Sequence, residues 1–162
     1  MKSIYLAGPD VFYPGADQLA EEHKLLCRKH GFDPLHPIDQ PTLKSRQIYE
    51  TNIELLRRAD AVVANLNPFR GAEVDSGTAF EVGFAVARGI PVVGYLASKE
   101  TLVERVERLF GPLVTLQGVC RDAAGNLVEN FGHQVNLMLA ESCSVVVGSL
   151  DDALASLHYR FS

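Results

Sequence analysis

Short apolar runs alternate along the chain with segments whose apolar residues recur at helical spacing. The runs over 4–7, 61–66, 91–96 and 144–148 are rich in Val, Ile, Leu and Ala and nearly free of charge, and a weaker run covers 32–35. Runs of this length without polar alternation are the signature of strands covered on both faces. Helical periodicity covers 16–30, 45–58, 77–88, 101–110 and 150–159, with Gly31, Gly89 and Gly111 just past three of these segments. Glycine at such a position ends a helix by taking left-handed backbone. This alternation predicts one α/β domain over 1–162. It is a doubly wound, flavodoxin-like or Rossmann-like fold, with five parallel strands and helices on both faces. The stretch 116–132 breaks the rhythm: Asp122-Ala123-Ala124-Gly125-Asn126 is turn chemistry amid weak alternation, which fits a hairpin or an ordered loop.

Composition narrows the partners. With 162 residues, 47% hydrophobic and 22% charged, the chain has the make-up of a single soluble domain. A formal charge of −5 and a pI near 5.5 argue against a polymeric nucleic acid as partner, since phosphate neutralisation needs clustered Lys and Arg. The start, Met1-Lys2-Ser3-Ile4-Tyr5, lacks the basic and long apolar regions of a signal peptide, and no stretch reaches membrane-spanning length, so a cytoplasmic location and no membrane partner are expected. Cys27, Cys120 and Cys143 have no C-x-x-C spacing, and the five histidines have no metal-ligand spacing; neither a disulfide framework nor a metal site follows.

In an open parallel sheet, ligands bind beyond the carboxyl ends of the strands, where strand order reverses. Those ends carry Gly8-Pro9-Asp10, His36-Pro37-Ile38-Asp39 and the long stretch 67–77. The last lacks a Walker lysine, and the chain has no G-x-G-x-x-G, so ATP and NAD are poor fits. Phe12, Tyr13 and Phe69 in these loops either stack on a base or pack among themselves. Asp39 either contacts a ligand or forms its turn.

From Gly77 to Gly89 nearly every side chain is apolar or small except Glu81 and Arg88, which predicts a helix buried all round. One turn from Glu81 stand Gly77, Thr78, Phe84 and Ala85, none able to neutralise it. Either a cation or a backbone donor from another element meets this carboxylate, or it is a nucleophile whose charged form the helix N-terminus favours. Asp75 at the helix entrance is a cap, a second functional carboxylate, or both. Two carboxylates around an anomeric carbon cleave a glycosidic bond with retention through a glycosyl-enzyme; here the leaving group would be a nucleobase.

At these residues the sequence resembles the nucleoside 2-deoxyribosyltransferases. Ile4-Tyr5-Leu6-Ala7-Gly8-Pro9 is similar to the family's opening strand and turn, the run 52–64 to its next helix and strand, Asp75 through Glu81 to its D-x-G-x-x-x-E signature, and Asn136-Leu137-Met138 to a segment inserted into a neighbouring subunit's site. The resemblance implies Glu81 as nucleophile, Tyr5 orienting it and Asp75 on the deoxyribose. It further implies Gly8, Asn52, Asn136 and Met138 around the substrate and a homo-oligomer with shared sites; Phe12 and Asp39 are added as substrate contacts from their loop positions, and no cofactor is expected because carboxylate attack and hydrogen bonds can do the work. Its substrates would be deoxynucleosides and free nucleobases. Several relatives carry aspartate where Asn52 stands; an amide cannot be a general acid, so water or Asp75 would protonate the departing base. A hydrolase of deoxynucleosides or their 5'-monophosphates, and a non-catalytic nucleoside-binding module, stay open as alternatives.

Overall fold

The computed structural model describes residues 1–39 and 44–161. In chain order its elements are β1 (Lys2–Ala7), α1 (Ala16–Lys29), β2 (Phe32–Leu35), α2 (Ser45–Arg58), β3 (Ala61–Asn65), α3 (Ser76–Ala87), β4 (Val92–Leu96) and α4 (Leu102–Phe110). There follow β5 (Val114–Leu116), β6 (Val119–Arg121), β7 (Leu127–Val128), α5 (Leu137–Ser142), β8 (Ser144–Val147) and α6 (Leu150–Phe161). Strands β2-β1-β3-β4-β8 form one parallel sheet in that order, as the apolar runs predict.

Alternation along each strand sends its side chains to two cores. Tyr5 and Ala7 of β1, Val62 and Ala64 of β3, and Val92 and Leu96 of β4 pack under α2, α3 and α5. Ile4 and Leu6, Ala61 and Val63, and Val93 and Tyr95 face α1 and α6 instead. Each fully buried Val- or Leu-sized side chain contributes roughly 1.5–3 kcal/mol relative to exposure, so β3, buried along its whole length, is the spine of the sheet. β2 carries Pro34, which cannot donate to a ladder and so belongs on an edge.

The chain leaves β1 for β2 on one side and returns to β3 on the other. The strand order therefore reverses between β1 and β3, whose paired ends are Ala7 and Ala64. Ligands of such sheets bind beyond this point. The ends there are tied by a polar network: Asn65 Nδ2 donates to both oxygens of Asp10 at 3.0 and 3.1 Å, and Asn65 Oδ1 accepts from Asn67 Nδ2 at 2.7 Å. Asn67 Oδ1 in turn accepts from the Ala97 amide at 2.9 Å. A Cβ on Gly8 would lie 2.2 Å from Asp10 Oδ2 and 2.9 Å from Asn65 Cβ, so the close approach requires glycine.

One feature meets the hairpin expectation and two differ from the sequence pattern. The stretch 116–132 lies largely in a small antiparallel sheet, β5-β6-β7, whose first turn sets Gln117 and Gly118 at φ 52° and 79°, as a two-residue hairpin needs. Helix α5, too short for a periodic signal, is capped by Asn136 Oδ1 accepting from the Met138 amide at 2.9 Å. Finally, α3 is not buried all round: Thr78, Val82 and Ala85 are covered, while Phe80 is 52% and Val86 37% exposed. One chain supplies cover for a single face of that apolar helix. No helix among the described residues is long and apolar enough to cross a membrane.

Candidate active site

Glu81 lies on the second turn of α3, one turn from the buried Thr78 and Ala85. This places its carboxylate at the border of the covered face, over β1. There the Tyr5 hydroxyl donates to Glu81 Oε1 at 2.6 Å. Tyr5 is fully buried, and burial, followed by the Glu81 charge, pushes its phenol well above the usual range, so it stays a neutral donor. The partner the sequence requires for Glu81 is therefore a phenol rather than a cation.

Burial pushes the Glu81 carboxyl up to about 7; the Tyr5 hydrogen bond opposes this and the nearby Asp75 charge adds to it. The expected help from the helix N-terminus is outweighed, since that influence fades within the first turn and Glu81 sits beyond it. Among the described residues Glu81 Oε2 has no hydrogen-bond partner, which leaves one carboxylate oxygen available to a ligand. Asp75 caps α3, its Oδ2 accepting from the Thr78 amide at 2.9 Å and the Thr78 hydroxyl at 3.1 Å.

Around these residues the carboxyl ends of β1 and β3 build a rim. The rings of Phe12 and Phe69 stack at 5.7 Å, Tyr13 meets Phe69 edge-on at 6.0 Å, and the Arg70 guanidinium lies 4.6 Å from the Phe69 ring centre. Burial, and after it the charges of Asp10 and Asp75, raise the Tyr13 phenol. Phe12 is 56% exposed. On α2, Asn52 shares a face with Tyr49 and Leu56, three and four residues away, and Tyr49 packs against Phe80 of α3 at 6.2 Å. Among the described residues Asn52 Oδ1 is buried with no hydrogen-bond partner, an acceptor that costs about 1–3 kcal/mol until a donor reaches it.

The family profile described as nucleoside 2-deoxyribosyltransferase matches residues 4–138. The chain belongs to that family. It superposes along the full length of both chains on a solved structure described as a 2-desoxiribosyltransferase from Leishmania mexicana, with a TM-score of 0.83 and 33% identity. A conserved protein of Enterococcus faecalis V583 matches with a TM-score of 0.59 and 26% identity, over 99% of each chain. An uncharacterised protein of Schizosaccharomyces pombe is 31% identical over 155 residues, covering 83% of this chain and 74% of that one.

For a member of the nucleoside 2-deoxyribosyltransferases, the positions of the remaining expected residues are informative. Gly8 is at the switch point, beside Asp10 and Asn65. Asp39 forms an ion pair with Lys24, at the end of β2 on the α1 side. Asn136 and Met138 do not approach Glu81 of their own chain. They line a cleft of about 490 Å³ with Ala79, Gly83, Val86 and Ala87, which at about 100° per residue is the α3 face opposite Glu81. Asn136 Nδ2 there donates to Glu129 Oε1 at 2.9 Å, and the Leu137 amide to Glu129 Oε2 at 2.8 Å. Among the described residues no cluster of three or more His, Cys, Asp or Glu could hold a metal.

Sequence reasoning passed over Asn65, Asn67 and Arg105. A polar residue ending an otherwise apolar strand signals Asn65. An arginine one turn from Leu102, on the apolar stripe of α4, signals Arg105.

Proposed function

We propose that this nucleoside 2-deoxyribosyltransferase family member exchanges nucleobases on 2'-deoxynucleosides by a ping-pong route through a deoxyribosyl ester on Glu81. The observation that carries the reading is the partly buried Glu81 carboxylate, held through one oxygen by Tyr5 at 2.6 Å beside the switch point, with no partner for its second oxygen among the described residues.

Deoxynucleoside binds with its base against Phe12 and its sugar between Asp75 and Glu81. The free Glu81 oxygen attacks the anomeric carbon as the bond to the base nitrogen breaks, and that bond's electron pair leaves with the base, which takes a proton from water. The Tyr5 hydroxyl fixes the direction of attack and lowers the carboxyl's affinity for protons. Charge growing on the sugar is met by two carboxylates. A second base then attacks the same carbon as the ester bond to Glu81 breaks, gives its proton to water, and leaves Glu81 as the free carboxylate. Asn52, as an amide, hydrogen-bonds the base and transfers no proton. Carboxylate attack and positioned hydrogen bonds suffice for each step.

We place Asn136 and Met138 in the site of a second subunit of a homo-oligomer. Their location across α3 from Glu81, and the exposure of Phe80, Val86, Phe131 and Met138 (Met138 at 70%), support an assembly that covers these apolar groups. Chromatography of a deoxynucleoside incubated with a second base tests the reading: exchange product is expected, and it should vanish in Glu81→Gln. Release of free base alone, unaffected by the second base, would assign the site to hydrolysis instead.

A further inference from the structure

Arg105 is 2% exposed and sits on α4, outside the residues just described. A buried guanidinium is retained only where its donors are satisfied. Here Nη1 donates to the carbonyls of Ala72 and Gln134, each at 3.0 Å, Nη2 to the Glu100 carbonyl at 3.1 Å, and Nε to Glu100 Oε2 at 3.4 Å. One planar group thus joins three segments distant in sequence.

One of these leads to the site of its own chain, and another to the segment placed in a second subunit's site. Ala72 precedes by three residues Asp75, the cap of α3; Gln134 precedes by two residues Asn136, the cap of α5. The neighbouring Leu102 amide adds a bond to the His133 carbonyl at 2.9 Å, reinforcing the second link. Glu100 neutralises the clamp from the third segment and also holds Arg108 at 2.6 Å. We propose that Arg105 is a positioning residue for the transfer reaction, fixing the Asp75 end of α3 relative to the segment that carries Asn136.

Lysine cannot replace it, because a single ammonium does not reproduce a rigid fork spanning two carbonyls. Displacing Asp75 or Asn136 by about 1 Å costs catalysis on the order of 100-fold in unfavourable cases, whereas the Tyr5–Glu81 contact is made by β1 and the second turn of α3, away from the clamp. The inference rests on the proposed exchange reaction, so wild type and Glu81→Gln are run in the same assay. In Arg105→Lys, KM for the deoxynucleoside should rise about tenfold or more, with hydrolysis gaining on exchange. Glu100→Ala, which keeps the carbonyl that Arg105 uses, should move KM in the same direction by less, and decides the matter alone if the Arg105 variant fails to fold. Lowered thermal stability with unchanged KM, kcat and hydrolysis-to-exchange ratio would overturn the positioning role. Wild-type protein that neither turns over nor binds deoxynucleoside by calorimetry would overturn the exchange reading, and this inference with it.

Discussion

The chemistry concentrates in one carboxylate and the phenol that holds it. Glu81 is raised from 4.5 to about 7 by burial, so its anionic, nucleophilic form is lost as pH falls through about 7, and the exchange rate should decline on that side. Tyr5→Phe removes the bond that lowers the carboxyl and should move the acidic limb to higher pH. Asp75→Asn removes the repulsion, keeps an oxygen to cap α3, and should move it lower. Rate profiles in which both variants shift the limb the same way would contradict this assignment. The same group sets a stability trend: its contribution is complete below about pH 4.5 and disappears as pH rises through about 7, on the order of 3–4 kcal/mol at about 1.4 kcal/mol per unit. Glu81→Gln should flatten that trend. Glu81 was legible in the sequence because a lone charge in an apolar helix demands a partner; that the partner is Tyr5 follows from β1 lying beneath α3, which spacing alone cannot tell.

Among elements, the five strands and five long helices were readable because parallel strands buried on both faces and amphipathic helices have different apolar periods. Helix α5 was not, since its six residues carry too few turns for periodicity and its start is fixed by Asn136 and Glu129 contacts. The loops after β1 and β3 were recognisable as site loops from their position, yet the Asp10–Asn65–Asn67 network that shapes them depends on side chains from separate elements. Gly8 makes this network possible. Gly8→Ala should force the turn after β1 away from Asp10 and Asn65, destabilising the protein by about 1–3 kcal/mol in denaturant unfolding and slowing exchange. Wild-type stability and rate in that variant would show that the close approach at Gly8 has no functional weight.

At the scale of the molecule, the single chain leaves α3 half covered and sets Asn136 on the far side from Glu81, so the complete site is expected to form between subunits. Glu81→Ala and Asn136→Ala proteins should each be inactive. Dissociated together and reassembled, they should regain part of the wild-type activity, because some sites then draw both residues from intact copies; mixed oligomers without recovery would place both residues in one chain's site. The family and its fold were visible in four ordered motifs, whereas the open face of α3 was hidden because an all-apolar helix has the same sequence whether its cover comes from its own chain or another. The account as a whole turns on the covalent step. Mass spectrometry of protein denatured during turnover of a deoxynucleoside, without acceptor base, should find the chain heavier by one deoxyribosyl group, located on the peptide containing Glu81 and lost when acceptor is added. An unmodified Glu81 peptide in a preparation that is actively exchanging bases would contradict it.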